Sequence, residues 1–173
     1  ELIIEEALNI YRNKNLKLKI LDIGTGSGCL AVSLAKEFKN ASITAIDISK
    51  EALEVAEKNV KIHNCNNQVQ LKMIDFKNIN SKFDLIVSNP PYLTNEQFNN
   101  ADPEVKNFEP KLALVGGDDG LKFYREYSNN LNNLMNKSSY FICEIGINQR
   151  QDCEEIFQNS GLNLNNIVND LQG

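Results

Sequence analysis

The chain has one histidine, four cysteines, four prolines and few basic residues, and it has no long apolar run. Each shortage removes a class of function. The single histidine, His63, falls near the end of a helical pattern between Lys61 and Asn64, where a solvated helix-end residue is expected rather than a general base. A Ser–His or Cys–His nucleophilic mechanism is therefore not expected. Cys29, Cys65, Cys143 and Cys153 show no C-x-x-C spacing and sit inside predicted elements, so they read as buried free thiols of a reducing cytoplasm and not as a metal site. No stretch approaches the ~20 consecutive apolar residues of a membrane span, and the first residues do not read as a signal peptide. Lys and Arg number 18 against 23 Asp and Glu, a formal net charge of −5 with a pI near 5.0. That balance argues against a surface built to neutralise many phosphates.

What remains is ordinary globular material, with 42% hydrophobic and 24% charged residues in 173. Residues 1–173 are expected to form a single domain, since no repeat and no break in composition marks a second. The many asparagines, as in Asn64-Cys65-Asn66-Asn67, read as compositional bias, because apolar periodicity runs through them. Residues 1–13 carry a helical pattern, 19–23 a short apolar strand, and 29–38 a helix. A β-branched strand over 42–48 is followed by Ser49 as N-cap of a helix reaching about 62. Strands are expected at 69–74 and 83–88, then a long segment without clear periodicity over 93–117, the kind of loop that is usually functional. A helix about Leu121 to Leu134, a strand over 139–145, a helix over 149–160 and a weak sixth strand over 162–168 complete the reading. Alternating strands and helices predict an α/β fold: a Rossmann-like, mostly parallel sheet with helices on both faces.

In such a sheet, ligands bind beyond the carboxyl ends of the strands. Polar residues collect there: the turn Gly24-Thr25-Gly26-Ser27-Gly28 after strand one, Asp47 after strand two, Asp75 after strand three and Asn89 after strand four. The glycine turn alone is weak, because a tight strand-to-helix connection needs glycine too. It is not the dinucleotide fingerprint, since Cys29 stands where the third glycine would fall, which disfavours a nicotinamide oxidoreductase. Asp47 lies about twenty residues on, the usual spacing for an acid that accepts from ribose hydroxyls. The set fits an adenosine ligand without a pyrophosphate, and S-adenosylmethionine suits it. Asp75 could take the exocyclic amine of adenine and Phe76 its face, though core packing accounts for Phe76 equally well. Asn89-Pro90-Pro91-Tyr92 ends strand four with an amide, two prolines that donate no N–H, and an aromatic. Alone, those four residues are as readily a stiff loop as a ligand-holding one.

The motifs together resolve that choice. Leu21 to Gly28, Phe83 to Tyr92, Phe108-Glu109-Pro110 and Gly116-Gly117-Asp118-Asp119-Gly120-Leu121 occur in this order, with Glu144-Ile145-Gly146 and Gln149 beyond them. Over nearly its whole length the chain resembles the HemK/PrmC family of glutamine methyltransferases, which act on the Gly-Gly-Gln loop of peptide-chain release factors. The resemblance implies a class I S-adenosylmethionine-dependent methyltransferase with release factors as protein substrate. Catalysis would rest on Asn89, Pro90 and Tyr92, and acceptor binding on these with Pro91. Cofactor binding would rest on Gly24, Thr25, Gly26, Ser27, Gly28, Asp47, Asp75, Phe76 and Asn89. No metal and no sequence-specific nucleic-acid binding are expected.

Members of that family normally carry a small helical domain before the first helix here and continue past Gly173 into a last antiparallel strand. The chain is accordingly expected to be an excised catalytic domain with a gap near 162–168, and fusion to further domains is possible. Competing readings are a ribosomal-protein glutamine methyltransferase, an adenine or guanine amino-methyltransferase, and a cofactor-binding scaffold without catalysis. The intact tetrapeptide argues against the last, and the absence of a basic track argues against a nucleic-acid substrate.

Overall fold

Strand and helix alternate as the apolar pattern requires. The computed structural model describes residues 2–102, 104 and 110–169. Five parallel strands form one sheet: β1 (Lys19–Ile23), β2 (Ser42–Asp47), β3 (Val69–Met73), β4 (Phe83–Ser88) and β5 (Met135–Cys143). Their order is β3-β2-β1-β4-β5, so the winding direction reverses between β1 and β4. The helices are α1 (Leu2–Ile10), α2 (Cys29–Glu37), α3 (Lys50–Ile62), α4 (Asn95–Asn100), α5 (Lys111–Leu114), α6 (Lys122–Leu134) and α7 (Arg150–Asn159), with a 3₁₀ turn over Phe76–Asn78. Contacts divide the chain into two compact units: Glu1–Asn89 with Asn133–Cys143, and Pro90–Asn132 with Glu144–Gly173.

The first unit holds the sheet. Ile3 and Ala7 of α1, Ala31, Leu34 and Ala35 of α2, and Val60 of α3 form one core cluster with Ile20, Ile43, Ala45, Leu85 and Val87 of the strands. The alternate residues Leu21, Ile23, Ile46 and Ile86 are buried too. Burial on both faces is why these strands read as continuous apolar runs rather than as alternation. Tyr11 closes the cluster: its ring lies edge-on to Phe38 and Tyr140, and its hydroxyl donates to the Asp84 carbonyl at 2.6 Å. Burial and the nearby Asp84 carboxylate push the Tyr11 phenol up to about 12. Ser49 caps α3 as expected, its hydroxyl accepting from the Ala52 N–H.

In the second unit, Leu121, Tyr124, Tyr127 and Leu131 are buried at three- and four-residue spacing along α6. Tyr124 meets Phe157 of α7 edge-on at 6.4 Å. Thr94 and Gln97 form a reciprocal capping box at the start of α4.

Several expectations are corrected. The first helix stops at Ile10 rather than at 13. The segment 93–117 is not wholly irregular: it contains α4, α5 and an isolated bridge between Leu93 and Val115. The fifth strand begins at Met135 rather than 139, because a register shift between Phe83 and Leu85 sets Asn136, Lys137, Ser138 and Ser139 opposite the single residue Asp84. Asn136 donates to the Asp84 carboxylate at 2.7 Å and Ser138 has φ 93°, so the polar stretch that reads as a loop is an irregular strand entry. Among the described residues there is no sixth strand: residues 162–169 form no helix or strand. Four of those eight are asparagines (Asn163, Asn165, Asn166 and Asn169), which satisfy backbone groups locally and are depleted in strands.

Candidate active site

Strand register brings the predicted strand-end residues together in the first unit. Ile23 of β1 pairs with Ile46 of β2 and with Ser88 of β4. The next residues are Gly24, Asp47 and Asn89, each one step past an aligned pair. The Ser88 hydroxyl donates to the Ile23 carbonyl at 2.9 Å and ties the β4 end to the β1 end. From that row the chain turns through Gly24, Gly26 and Gly28, at φ 69°, 54° and 81°. A Cβ at Gly24 would meet nothing within 4 Å, so the backbone there faces open space. At Gly28 the reason for glycine is different, since a Cβ would lie 3.1 Å from the Ala56 Cβ of α3.

Four polar side chains hold the turn: Asp47, Thr25, Asp22 and Asn59. The Asp47 carboxylate accepts the Gly26 N–H at 2.9 Å through Oδ2 and the Ser49 N–H at 2.9 Å through Oδ1. Each oxygen keeps acceptor capacity for a further donor. The Thr25 hydroxyl donates to Asp22 Oδ2 at 2.6 Å, and Asn59 of α3 donates to the Ser27 carbonyl at 2.9 Å. Asp22 is fully buried, and its Oδ1 has no hydrogen-bond partner among the described residues. Burial pushes its carboxyl up to about 6, the nearby Asp47 adds to this, and the Thr25 hydroxyl and the Ala31 backbone oppose it.

Asp75 is partly exposed and Phe76 is buried. Asp75 Oδ1 accepts the Lys77 N–H at 2.9 Å and so caps the 3₁₀ turn. Phe76 is only 6% exposed, with the Lys77 ammonium 5.8 Å from its ring centroid. That burial gives core packing the larger share of its role. His63 is an exposed C-cap of α3. All four cysteines are free; Cys65 and Cys153 are buried, but Cys29 is exposed and Cys143 half-buried, against expectation. Cys29 opens α2, and its outward position follows from the turn of the helix.

Asn89 is exposed and closes the first unit; Pro90, which is buried, opens the second. Within the second unit the segment after Pro90 is held mainly through its backbone. The Gln149 side chain donates to the Tyr92 carbonyl at 3.0 Å and accepts the Gly146 N–H at 2.9 Å. The Tyr92 hydroxyl donates to Glu144 Oε1 at 3.2 Å. A Cβ on Gly116 would lie 2.4 Å from the Pro91 carbonyl, and one on Gly120 2.3 Å from the Tyr92 carbonyl. The Gly116-to-Leu121 motif is thus explained by close backbone approach. Its Asp119 caps the start of α6, accepting the Leu121 N–H at 3.0 Å, and the Arg125 guanidinium beside it brings the carboxyl down to about 2. Phe108 and Glu109 lie outside the described residues. Asn59 carries no signal in the sequence, while Glu144 and Gln149 carry one only through the motif resemblance.

An all-parallel sheet with a glycine turn after β1 and an acid after β2, at a topological switch point, defines the class I S-adenosylmethionine-dependent methyltransferase fold. The fold is shared with ribosomal protein L11 methylase from Lactobacillus delbrueckii subsp. bulgaricus (TM-score 0.63, 24% identity, 91% of this chain and 66% of that one). It is shared as well with a methyltransferase from Pyrococcus furiosus (TM-score 0.68, 19% identity, 98% and 77%). Residues 7–104 match the family described as Methyltransferase small domain, and the chain belongs to that family. Among its relatives are the release factor glutamine methyltransferases of Fusobacterium nucleatum, 37% identical over 100% of this chain and 49% of that protein, and of Bacillus cereus, 41% identical over 82% and 51%. A bifunctional methyltransferase of Rickettsia felis is 39% identical over 90% of this chain and 30% of its own length. The chain therefore spans about half the length of these release factor relatives, and the resemblance to the HemK/PrmC family is borne out.

Proposed function

We propose that the protein containing this chain transfers a methyl group from S-adenosylmethionine to the side-chain nitrogen of the glutamine in the Gly-Gly-Gln loop of peptide-chain release factors. The observation that carries the proposal is the row Gly24, Asp47 and Asn89, one step past aligned strand positions, with Pro90-Pro91-Tyr92 following directly. The relatives named release factor glutamine methyltransferase support the substrate.

The residues fit the cofactor. Gly24 presents backbone to open space at the head of the turn, and Asp47 keeps lone pairs for ribose hydroxyls while its backbone bonds hold the carboxylate still. The orphaned oxygen of Asp22 below the turn is suited to a cationic group. Bound S-adenosylmethionine supplies an electrophilic methyl on a sulfonium. Asn89, through its side-chain oxygen, and Pro90, through its carbonyl, each accept one N–H of the planar acceptor amide. Two acceptors of this kind direct the nitrogen lone pair and favour the positive charge that develops on nitrogen as the N–C bond forms and the S–C bond breaks, and one N–H proton is then lost to water. Such positioning lowers a barrier by several kcal/mol without a strong base. Tyr92 walls the amide. Asp75 and Phe76 border the base, with Phe76 acting chiefly as packing.

Residues 1–173 act in this reading as one catalytic domain, and the four free thiols suit a reducing cytoplasm. Among the described residues no helix is long and apolar enough to cross a membrane. The test is radiolabelled methyl transfer offered in parallel to release factor, ribosomal protein and nucleic acid. Label on the release factor glutamine is the expected result. Label confined to ribosomal protein or to nucleic-acid amino groups would replace the proposal with one of the two neighbouring activities.

A further inference from the structure

We infer that Gln149 and Glu144 are positioning residues for the methyl transfer, acting through Tyr92; the inference rests on the proposed role of Tyr92 as a wall of the acceptor amide. Gln149 uses both ends of its carboxamide. Nε2 donates to the Tyr92 carbonyl at 3.0 Å, and Oε1 accepts from the Gly146 N–H at 2.9 Å. Reversing the carboxamide would set oxygen against oxygen and N–H against N–H, so the orientation is determined by both partners. The backbone of Gln149 is anchored in turn: it precedes α7, and its carbonyl accepts from the buried Cys153 N–H at 2.9 Å. The side chain is a strut between the start of a helix and a carbonyl 57 residues earlier.

Glu144 holds the other end of Tyr92. Its carboxylate accepts the Tyr92 hydroxyl at 3.2 Å. Its own backbone carbonyl accepts the hydroxyl of Tyr124 at 3.1 Å, and Tyr124 is 0% exposed in α6. Two glycines leave this arrangement no slack. A Cβ at Gly120 would fall 2.3 Å from the Tyr92 carbonyl and 2.5 Å from Gln149 Nε2. A Cβ at Gly146 would fall 3.0 Å from Tyr92 Cδ2 and 2.9 Å from Gln149 Oε1. Tyr92 is thereby gripped by backbone at one end and by hydroxyl at the other. A reaction that depends on positioning loses about a hundredfold for a displacement near 1 Å.

The test separates positioning from mere stability. Gln149→Met keeps the bulk of the side chain and removes both hydrogen bonds. In the full-length protein, well below its melting temperature, it is expected to lower kcat at least tenfold while the cofactor Kd moves less than twofold. Glu144→Ala is expected to lower kcat several-fold, and Glu144→Gln, which still accepts from a hydroxyl, to recover most of that loss. A readout independent of turnover is hydrogen exchange at the Leu93 and Gly116 amides beside Tyr92. Gln149→Met should speed both at least tenfold and leave the Leu85 amide of the sheet unchanged. Unchanged kcat with unchanged exchange would overturn the inference, as would a Glu144→Gln variant no better than Glu144→Ala for that residue. Wild-type protein that methylates none of the offered acceptors would instead sink the proposed function, and the exchange arm would still decide whether Gln149 holds Tyr92.

Discussion

Asn89 and Asp47 stand at equivalent places at the ends of the strands that flank β1, yet in the proposed mechanism different steps depend on them. In that mechanism Asn89→Ala removes a hydrogen-bond acceptor for the substrate amide and leaves Asp47 and the glycine turn in place. Turnover is expected to fall at least a hundredfold with cofactor affinity nearly unchanged; retained turnover would end the positioning argument. Asp47→Ala removes the proposed ribose acceptor and the anchor of the Gly26 and Ser49 N–H groups. Calorimetry should show S-adenosylmethionine binding weakened at least tenfold, about 1.4 kcal/mol, and an unchanged affinity would refute the role. Asp22 gives a pH prediction. Burial raises its carboxyl from 3.8 to about 6, so the folded state holds the proton more tightly than the unfolded state does. Its contribution is fully present below about pH 4 and is lost as pH rises to about 6, on the order of 3 kcal/mol. Asp22→Asn keeps an acceptor for the Thr25 hydroxyl and cannot titrate. Urea melts between pH 4 and 7 should show this fall in the wild type and not in the variant, and parallel profiles would remove Asp22 as its source.

At the level of elements, the parts buried on both faces were the most legible. β4 matches its expected bounds and β1 and β2 follow theirs to within a residue, because their apolar runs leave little choice of register; β3, the half-exposed edge strand, is as close on moderate alternation alone. The β5 entry was not legible, since a register shift carries Asn136 to Ser138 and nothing local announces it. Residues 162–169 misled for the opposite reason: they alternate, but alternation supplies no partner. Amides there are expected to exchange fast, and protection comparable to that of β1 would restore a strand. The glycine turn was legible as a site, but not the reason for each glycine. Gly28→Ala would force a left-handed residue and press on Ala56, costing about 1–2 kcal/mol with a matching drop in the urea midpoint. Of the site, Gly24, Asp47 and Asn89 could be read from strand ends. Asn59 and the grip of Gln149 on Tyr92 depend on contacts between distant segments, which no local pattern encodes.

For the molecule as a whole, the proposed function requires that a protein substrate be read, since in that proposal four residues at a strand end specify only a class of nitrogen. In that proposal α4 and α5, between Tyr92 and the Gly116 motif, are the candidate readers, and their energetics differ from those of the sheet. α4 and α5 contain no buried residue, and Leu112 of α5 is 66% exposed. Helices of this length gain little from propensity and depend on packing for their stability. Few buried contacts mean a small free energy of local opening, so these amides should exchange much faster than those of β1 and β4. A release factor that covers Leu112 and its neighbours would add the missing burial, at ~25 cal/mol per Å² of apolar surface. Hydrogen exchange of the full-length protein with saturating release factor should then slow α4 and α5 at least tenfold while β1 and β4 stay as they were. Equal exchange with and without release factor, under conditions where the glutamine is methylated, would exclude this segment as the reader and leave that task to other parts of the protein.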